Sequence, residues 1–498
     1  LTGGTYYGDG SNLTGVGESV APWHYNPDVN DTEIKLDHTG IGITFNKKVV
    51  AGSGTATMKI VNAGAAGTTI QSWGVSSCTF ATTVFTFGSL VSELAAGQTY
   101  QVDIPGTFID DASGNSYVGT AWTFVVTNQQ AMSIWSWGSG TKGGLGQNLE
   151  GDGARRSSPV QITSSATWVD MSDQIGVPFM GAAINEDKEL FVWGENAYGE
   201  LGLNDIVPRS SPIQLPGSWG TDHEQYGNRS AIAFTRDEGL GIKNVSISAG
   251  SLWAWGKNEF GCLGQNNVVK YSSPVQIGSA TDWVQVTVGV ENGAAINTDG
   301  ELWIWGYNGK GECAQLNKTH NGYSSPVQVP GTTWKHVAAG QDVFLAATKT
   351  DGTLWAWGAN DRGQLGQNTQ GANLEYSSPI QIPGTTWASV DSGYRYCIAS
   401  KTDGTLWTWG ANERGDLGHN QPSNIDLSSP TQVGSATDWA ASRRHIAAEA
   451  YGARAIKTDG TLWTWGDNET GELGQNNVVK YSSPVQVPGT DWVLAGSF

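Results

Sequence analysis

Short apolar runs that end in a Trp-Gly pair recur along most of the chain after residue 130. The seven pairs are Trp137-Gly138, Trp193-Gly194, Trp255-Gly256, Trp305-Gly306, Trp357-Gly358, Trp409-Gly410 and Trp465-Gly466, and 50 to 62 residues separate successive pairs. Each pair is followed by a glycine-rich turn and then by Ser-Ser-Pro. A pattern that returns at this spacing predicts one small supersecondary unit that is repeated seven times.

The stretch from 387 to 410 shows the strand pattern of a single unit. In Leu406-Trp407-Thr408-Trp409, the period of two places both tryptophans on one face and the other two side chains on the opposite face. Asp403-Gly404 predicts a tight two-residue hairpin turn, because glycine readily adopts the positive φ that such a turn needs. One small sheet cannot bury two apolar faces alone, so we expect the units to stack against one another in a closed ring.

The two ends of the repeat region complement each other. Residues 491–498 match the opening of a unit, as in 334–340, and the rest of that unit is missing there. The stretch 124–138 has the spacing of 344–358, but it lacks such an opening. We therefore expect the C-terminal strand 491–498 to complete the blade that begins near 124–138 and to close the ring.

These repeats resemble those of the regulator of chromosome condensation family, whose units carry L-W-x-W-G-x-N-x-x-G-x-L-G. The resemblance covers about 128–498 and implies a seven-bladed β-propeller. The sequence departs from the pattern at Gly140, which replaces Asn, and at Gly311–Ala314, which reads G-E-C-A instead of G-x-L-G. The stretch 219–250 is longer and irregular, so blade boundaries are open there.

Residues 21–127 alternate in short runs bounded by Gly, Asn and Asp, which predicts a second all-β module. Its end, L-A-A-G-Q-T-Y-Q-V-D-I-P-G-T-F-I-D-D-A-S-G-N, resembles the bacterial Ig-like module of surface-layer proteins, which implies a β-sandwich. Residues 1–20 are glycine-rich, which predicts an extended connector. Within them, T-Y-Y-G-D-G-S-N-L-T-G-V resembles connector segments of bacteriophage tail-fibre and virion structural proteins. The predicted fold class is therefore all-β, with a connector (1–20), an Ig-like sandwich (21–127) and a propeller (128–498).

The net charge of the chain limits the classes of partner that we expect. The chain carries 27 basic and 46 acidic side chains, a formal net charge of −19, and both the first 127 residues and the remainder are acidic. Nucleic acids and anionic membranes require clustered Lys and Arg, so neither is expected as a partner. No apolar run reaches the 18 residues typical of a membrane-spanning helix. The sequence starts at Leu1, and we expect it to be a processed product or an excerpt.

Catalytic and metal-binding motifs are missing from the sequence. The seven histidines are isolated, and His223-Glu224 lacks the second histidine of a metalloprotease motif. Asp110-Asp111 is interpreted as part of a turn rather than as an acid–base pair; with Asn115 it leaves calcium binding as an alternative. The four cysteines lack C-x-x-C spacing and are interpreted as buried apolar residues. We expect no enzyme activity, cofactor or metal.

The positions just before Ser-Ser-Pro are the best candidates for binding. They are Arg156, Arg209, Tyr271, Tyr323, Tyr376, Leu427 and Tyr481, and all but Leu427 are Arg or Tyr. We expect them in loops on one rim of the ring, and Tyr and Arg are enriched in binding hot spots. Packing between blades is the competing interpretation of the tyrosines. For the repeated tryptophans, packing is favoured over stacking on sugars.

The order of connector, Ig-like module and propeller suggests a non-enzymatic virion protein of a bacteriophage, such as a fibre, spike or capsid appendage. Residues 1–127 would bind other virion proteins, and the propeller would bind a glycan or protein on the host surface. A secreted or cell-surface bacterial adhesin is the alternative. The propeller resemblance also implies nucleotide exchange on a small GTPase, which fits the remaining modules poorly. The chain is compatible with a homo-oligomer.

Overall fold

The structure is a computed structural model, and it describes residues 22–26, 33–35, 42–45, 49–53, 55–60, 68–81, 84–86, 99–104, 108–111, 120–127, 133–149, 151, 154–162, 168–174, 179–220, 231–244, 250–421 and 423–493. The predicted connector (1–20) lies outside these residues. The chain divides into two compact units, Leu1–Gln130 and Ala131–Phe498. Within the described residues, no helix has the length and apolar character to cross a membrane.

The N-terminal unit consists of short strands. They are β1 (Pro22–Asn26), β2 (Glu33–Lys35), β3 (Gly42–Phe45), β4 (Val49–Ala51), β5 (Thr55–Ile60), β6 (Thr68–Gly74), β7 (Thr79–Ala81), β8 (Val84–Thr86), β9 (Thr99–Ile104), β10 (Ile109–Asp111) and β11 (Thr120–Thr127), with a 3-10 turn at Val75–Ser77. One sheet has the order β1-β3-β8-β7, another has the order β2-β11-β9-β5-β6, and β10 pairs with β4. Ala56, Val102 and Phe108 are buried, as a sandwich core requires.

Two details of this unit correct the sequence analysis. Phe124 lies in β11 and pairs with Tyr100 of β9, so it belongs to the N-terminal unit rather than to the first blade. Asp110 and Asp111 lie in strand β10 rather than in a turn, because their backbone pairs with β4. Asn115, the third residue of the calcium alternative, lies outside the described residues.

The C-terminal unit is built from strands that pair antiparallel, apart from one short parallel pair between Asp173–Gln174 and Ala233–Phe234. They are β12 (Trp135–Ser139), β13 (Arg155–Gln161), β14 (Trp168–Met171), β15 (Asp173–Gln174), β16 (Met180–Asn185), β17 (Leu190–Gly194), β18 (Arg209–Leu215), β19 (Ile232–Phe234), β20 (Glu238–Asn244), β21 (Gly250–Gly256), β22 (Tyr271–Gln276), β23 (Trp283–Val288), β24 (Asn292–Asn297), β25 (Leu302–Asn308), β26 (Thr319–Val329), β27 (Trp334–Ala339), β28 (Phe344–Lys349), β29 (Leu354–Ala359), β30 (Glu375–Ile382), β31 (Trp387–Ser392), β32 (Tyr396–Lys401), β33 (Leu406–Gly410), β34 (Leu427–Gln432), β35 (Ile446–Ala448), β36 (Gly452–Ile456), β37 (Leu462–Gly466) and β38 (Tyr481–Gln486). Short 3-10 turns lie at Thr141–Gly143 and Arg443–His445.

Four of the sheets are complete four-stranded blades: β14-β16-β17-β18, β27 to β30, β31 to β34 and β35 to β38. Strands β19 to β26 form two further blades, which are joined by the single pair Gly250–Trp283. Strands β12 and β13 pair with each other. We number the repeats 1 to 7 by their Trp-Gly pairs, from Trp137 to Trp465. The first strand opens with a tryptophan in repeats 2, 4, 5 and 6, whereas Trp219 and Trp439 precede the first strands of repeats 3 and 7 and form isolated bridges. The third strand contains Trp-Gly and the fourth contains Ser-Ser-Pro.

One hydrogen bond links each repeat to the next. The indole N–H of the Trp-Gly tryptophan donates to the backbone carbonyl of the residue before Leu, or before Cys313, in the G-x-L-G turn of the preceding repeat. The pairs are Trp193–Gly144, Trp255–Glu200, Trp305–Cys262, Trp357–Glu312, Trp409–Gln364, Trp465–Asp416 and Trp137–Glu472, at 2.6 to 2.9 Å. The last pair joins repeat 7 to repeat 1, so the circuit is closed.

A second circuit explains Ser-Ser-Pro. A backbone amide just after each G-x-L-G turn donates to the carbonyl of the first serine in the following repeat. The pairs are Asn148–Ser210, Asn204–Ser272, Asn266–Ser324, Leu316–Ser377, Asn368–Ser428, Asn420–Ser482 and Asn476–Ser157. Repeat 7 again contacts repeat 1. The predicted closed propeller is confirmed, and both circuits pass through all seven Trp-Gly repeats.

The glycine of Trp-Gly is needed for backbone contact. Gly358 has φ +99°, and a Cβ there would lie 2.5 Å from the carbonyl oxygen of Val343, the residue directly before the neighbouring strand β28. The next amide, that of Ala359, donates to this carbonyl at 3.0 Å. A side chain would therefore both strain the backbone and separate the third strand from the second.

The core consists of side chains between successive blades. Trp357, Trp334 and Leu345 of repeat 5 pack against Ile304 and Leu302 of repeat 4, and all five are buried. Trp409 of repeat 6 packs in the same way against repeat 5, with Trp407 half-buried beside it. The sequence prediction that both tryptophans of L-W-T-W share one face is confirmed.

The Asp-Gly connections follow the prediction in conformation but differ in length. Gly404 has φ +78°. The amide of Lys401 donates to the carbonyl of Thr405 at 2.9 Å, which leaves three residues, not two, in the loop. Asp403 explains this loop, because its carboxylate accepts hydrogen bonds from the amide and the hydroxyl of Thr405 and so favours the longer turn.

The start of the predicted closing strand packs on repeat 1. The ring of Trp492 lies 5.9 Å from that of Trp137 in an edge-to-face arrangement. Its amide donates to Gly460 at 3.1 Å, as Trp439 does to Gly404 in the preceding repeat. Residues 494–498 lie outside the described residues, so strand pairing over 491–498 remains a prediction.

Candidate functional site

The residues before Ser-Ser-Pro lie in strands and not in loops, which corrects the sequence analysis. Each pairs with the glycine of its own Trp-Gly pair: Arg156 with Gly138, Arg209 with Gly194, Tyr271 with Gly256, Tyr323 with Gly306, Tyr376 with Gly358, Leu427 with Gly410 and Tyr481 with Gly466. The register shifts next to this pair in every repeat, which indicates a bulge at the same place in each fourth strand. All seven side chains are half-buried.

The tyrosines among them make internal contacts. Tyr271, Tyr323 and Tyr376 pack against the clusters between blades. The hydroxyl of Tyr323 accepts a hydrogen bond from the Asn317 amide group at 2.9 Å, and Tyr271 and Tyr481 have equivalent partners in Asn267 and Asn477. Arg209 forms an ion pair with Asp205 at 2.6 Å. These contacts support the packing interpretation, and a binding role for the six residues remains a prediction.

A different set of Tyr and Arg side chains meets at one edge of the sheets. In an antiparallel four-stranded sheet, the turn between the first two strands and the end of the third strand lie at the same edge. We call this edge the turn face, and it includes Phe179, Tyr198, Arg236, Lys257, Phe260, Tyr307, Tyr394, Arg395, Arg414, Tyr451 and Asp467. Backbone bonds fix it, since the amide of Ala411 donates to Arg395 at 2.9 Å and that of Asp467 donates to Tyr451 at 2.7 Å.

Repeats 6 and 7 form the densest part of the turn face. The rings of Tyr394 and Tyr451 lie 5.6 Å apart although they come from different repeats. The guanidinium groups of Arg395 and Arg414 lie 4.9 Å from the rings of Tyr394 and Tyr451, respectively. Arg414 also forms an ion pair with Asp467 at 2.7 Å. The result is a half-exposed cluster in which cations and aromatic rings alternate.

Repeats 2 to 4 continue the turn face. Lys257 bridges Asp237 at 3.3 Å and Glu259 at 3.1 Å, and it lies 5.4 Å from the ring of Tyr198. The ring of Phe260 packs edge-to-face on Tyr307 of the next repeat at 5.0 Å. Neighbouring repeats therefore share side-chain contacts at this edge as well as in the core.

Buried carboxyl groups lie beneath the turn face. Glu312 and Asp416 occupy the variable position of G-x-L-G, and each accepts a hydrogen bond from the amide two residues earlier, at 2.9 and 3.1 Å. Their other oxygen atoms have no hydrogen-bond partner among the described residues. Burial raises the pKa of Glu312 to about 8 and that of Asp416 to about 7. Both groups cap turns inside the protein, where a substrate cannot reach them.

The cysteines agree with the sequence analysis at three positions. Cys262, Cys313 and Cys397 are buried free thiols, and burial raises the pKa of each. Cys78 is half-buried, and its thiol donates to the carbonyl of Gly74 at 3.6 Å. Among the residues that the structure describes, no cluster of three or more His, Cys, Asp or Glu side chains could hold a metal ion.

Sequence reasoning missed the turn face because its side chains do not recur at one position of the repeat. Tyr394-Arg395 in repeat 6 corresponds to Ala450-Tyr451 in repeat 7 and to Asp342-Val343 in repeat 5. The closeness of Tyr394 and Tyr451 follows only from the packing of two whole repeats. The one available signal was their position, because Tyr394 lies two residues before the second strand of its repeat and Arg395 and Tyr451 lie directly before theirs.

Two family profiles account for most of the chain. The profile described as regulator of chromosome condensation (RCC1) repeat matches 187–223, 249–296, 299–347, 351–400, 403–448 and 459–495, together more than half of the chain. A second profile with the same description matches 334–364 and 387–416. The profile described as bacterial Ig-like domain matches 23–126.

Several characterised proteins are similar to this chain. It is 27% identical over 315 residues to the ultraviolet-B receptor UVR8 of Arabidopsis thaliana, which covers 59% of this chain and 64% of UVR8. It is 26% identical to the RCC1 domain-containing protein RUG3, mitochondrial, of the same plant, over 72% of this chain and 82% of RUG3. Human E3 ubiquitin-protein ligase HERC2 is 25% identical over 71% of this chain, which corresponds to 7% of HERC2. The chain thus spans less than two thirds of UVR8 and a small part of HERC2.

Solved structures share the fold of the repeat region. Yeast RCC1 (Prp20), solved bound to Kap60, superimposes with a TM-score of 0.60 at 18% identity and covers 73% of this chain and 86% of that chain. Human WBSCR16 gives a TM-score of 0.59 at 19% identity, over 72% of this chain and 95% of that chain. Because the repeat profile matches over half of the chain and the two hydrogen-bond circuits close the ring, this protein belongs to the regulator of chromosome condensation (RCC1) repeat family.

Proposed function

We propose that this chain is a non-enzymatic recognition protein whose propeller binds a protein partner through the turn face. The alternating cluster of Tyr394, Tyr451, Arg395 and Arg414 carries the proposal, because half-exposed Tyr and Arg on a rigid scaffold are typical of binding hot spots. A protein partner is favoured over a glycan, since the indoles that could stack on sugars are largely used between blades. The indole of Trp409, for example, is completely buried.

We further propose that the protein is part of a bacteriophage particle, as a fibre, spike or capsid appendage, and that the propeller attaches it to the host surface. The order of connector, Ig-like unit and propeller supports this, because it separates a docking part from a recognition part. Mass spectrometry of gradient-purified particles tests it. Peptides of this chain should copurify with the capsid proteins at constant stoichiometry, and their absence would remove the proposal.

A bacterial surface adhesin is the second candidate, and the match of residues 23–126 to a bacterial Ig-like domain favours it. The two candidates share the recognition step and differ in where the chain is found. Detection of the chain in the surface fraction of cells free of phage, together with its absence from particles, would decide for the adhesin.

The recognition step itself is tested by competition. The full chain, added in excess, should reduce attachment of particles or cells to their target surface. A double variant, Arg414→Ala with Tyr451→Ala, should lose most of this competition. Arg209→Ala should retain it, because Arg209 lies in repeat 2, outside the cluster of repeats 6 and 7, and is paired with Asp205. Equal competition by both variants would exclude the turn face as the binding surface.

A further inference from the structure

At the other edge of the sheets, four repeats carry the same internal contact between a lysine and two tryptophans. In repeat 5, the ammonium of Lys349 lies 4.5 Å from the ring of Trp334 and 4.7 Å from the ring of Trp355. Lys243, Lys401 and Lys457 occupy the same position in repeats 3, 6 and 7, each between 3.8 and 5.1 Å from two indole rings. We call this pair of indoles the tryptophan notch. Attraction between the cation and the ring faces stabilises the contact.

Repeat 4 has the notch but not the lysine. The rings of Trp283 and Trp303 lie 6.4 Å apart at 83°, close to the 6.5 Å and 77° of Trp334 and Trp355. The residue at the lysine position is Asn297, which is buried and too short to cover either ring. A cleft of about 460 Å³ opens against both indoles, and Ile277, Gly278 and Pro326 form part of its wall.

The hydrogen bonding of this notch is also incomplete. In repeats 5, 6 and 7, the indole N–H of the second tryptophan donates to a threonine hydroxyl, as Trp355 does to Thr353 at 2.9 Å. In repeat 4 the equivalent residue is Glu301, whose carboxylate instead accepts from Asn297 at 2.9 Å. The buried indole N–H of Trp303 consequently has no partner among the described residues.

Two carboxylates lie where a cation would sit. Asp282 precedes the first tryptophan of repeat 4, and its carboxylate lies 3.4 Å from the Asn297 side chain. In repeat 7 the equivalent residue, Asp438, forms an ion pair at 3.1 Å with Lys457, the lysine in that notch. Repeat 4 therefore combines Asp282, Glu301 and two indoles without the cation that repeats 3, 5, 6 and 7 supply.

Repeat 2 shows that loss of the lysine alone does not create this arrangement. Asn185 replaces the lysine there and is bound by Glu189 at 2.8 Å. However, the other oxygen of Glu189 accepts a hydrogen bond from Gln214 at 2.8 Å, and Phe191 replaces the second tryptophan. Only repeat 4, among the described residues, pairs two tryptophans with two carboxylates and no lysine.

We propose that the notch of repeat 4 binds the primary ammonium of a lysine side chain from another protein. The alkyl stem would lie in the apolar cleft, and the ammonium would contact both rings and donate hydrogen bonds to Asp282 and Glu301, as Lys457 does to Asp438 within the chain. The site lies at the edge opposite the turn face and does not depend on the proposed function. A quaternary ammonium could contact the rings but could not donate to the carboxylates.

The test is titration of the full chain, labelled with 15N at the tryptophan indoles, with Nα-acetyl-lysine N-methylamide. We expect saturable shifts of the Trp283 and Trp303 indole signals, identified with Trp283→Phe and Trp303→Phe. The norleucine analogue, which lacks the ammonium, and choline should bind at least about tenfold more weakly. Equal binding of the norleucine analogue would overturn the proposal, and tighter binding of choline would show that the site prefers a free quaternary ammonium.

Two variants make the result independent of folding defects. Asn297→Lys supplies the missing cation from within and should abolish binding while keeping the protein folded, because four repeats already have this arrangement. Asp282→Asn combined with Glu301→Gln should raise the apparent Kd at least about tenfold. Asp438→Asn, in the filled notch of repeat 7, is the matched control and should leave binding unchanged. Retained binding in Asn297→Lys would contradict the proposal.

Discussion

Repeats 4 and 5 share one backbone frame and differ in the side chains that complete it. Both donate an indole N–H to the preceding turn, through Trp305 and Trp357, and both place glycine at positive φ after that tryptophan. Repeat 5 then fills its notch with Lys349 and caps its turn with Gln364, whereas repeat 4 has Asn297 and Glu312 at these positions. Ring formation therefore depends on the small set of residues that the repeats share. The side chains at the other positions can differ from repeat to repeat and can have other roles.

Removing a contact that all the repeats share should have the largest effect on stability. Trp357→Ala removes a fully buried indole that joins repeats 4 and 5, together with its hydrogen bond to the Glu312 carbonyl. We expect the free energy of unfolding to fall by about 3–5 kcal/mol, as for other buried Trp→Ala changes. Urea unfolding followed by circular dichroism measures this. Trp135→Ala is the control, because that indole is 37% exposed and should cost less than about 1 kcal/mol.

The second prediction concerns the turn caps and pH. Burial raises the pKa of Glu312 to about 8, so the folded protein keeps this proton between pH 4.5 and 8 whereas the unfolded chain releases it. The folded state thus binds more protons, and the contribution of Glu312 to stability is lost as the pH rises through this window. Glu312→Gln should remove that loss and raise the stability at pH 8 relative to pH 6 by about 2 kcal/mol compared with the wild type.

Repeat 5 provides the reverse experiment. Gln364 occupies the same position and accepts a hydrogen bond from the amide of Arg362 at 2.8 Å. Gln364→Glu should therefore introduce a new loss of stability between pH 6 and 8. Denaturant midpoints measured across this range check both variants, and an unchanged pH profile in both would mean that the Glu312 carboxyl ionises without cost.

The third prediction concerns the glycine of Trp-Gly. Gly358→Ala places a Cβ 2.5 Å from the Val343 carbonyl oxygen at φ +99° and should cost about 1–3 kcal/mol. Gly371→Ala is the matched control, since no atom lies within 4 Å of a Cβ at that position. Its effect should stay within about 0.5 kcal/mol. Thermal unfolding of the two variants measures the difference, and equal melting temperatures would show that the second and third strands can separate without cost.

The sequence was sufficient to predict the ring because the ring depends on local and periodic signals. Trp-Gly, Ser-Ser-Pro and Asp-Gly each recur, and each corresponds to one repeated contact, such as the bond from Asn368 to Ser428. The candidate sites are different. Tyr376 was expected in a loop, yet the fourth strand begins one residue earlier and pairs it with Gly358. Contacts between repeats, such as that of Tyr394 with Tyr451, depend on residues that differ from repeat to repeat, and no period reports them.

The tryptophan notch of repeat 4 could be predicted from the sequence only in part, because its signal is a departure from a repeated string of residues. Lys-Thr-Asp-Gly-Thr-Leu-Trp at 349–355 and 401–407 becomes Asn-Thr-Asp-Gly-Glu-Leu-Trp at 297–303. The two changed residues are those that supply the ammonium and the acceptor of the indole N–H in repeat 5. Only the structure shows that both act on the same pair of rings.

The smallest predicted effect concerns the lysine itself. Lys349→Asn converts the notch of repeat 5 towards that of repeat 4, and loss of the cation from the faces of Trp334 and Trp355 should cost about 0.5–1 kcal/mol. Asn297→Lys should gain a similar amount, because Asp282 and Glu301 add ionic contacts to those of the rings. Paired denaturant titrations resolve this difference. If Lys349→Asn were destabilising but Asn297→Lys were not stabilising, the notch of repeat 4 would have to differ from its neighbours in shape and not only in charge, and its proposed affinity for lysine would fail with it.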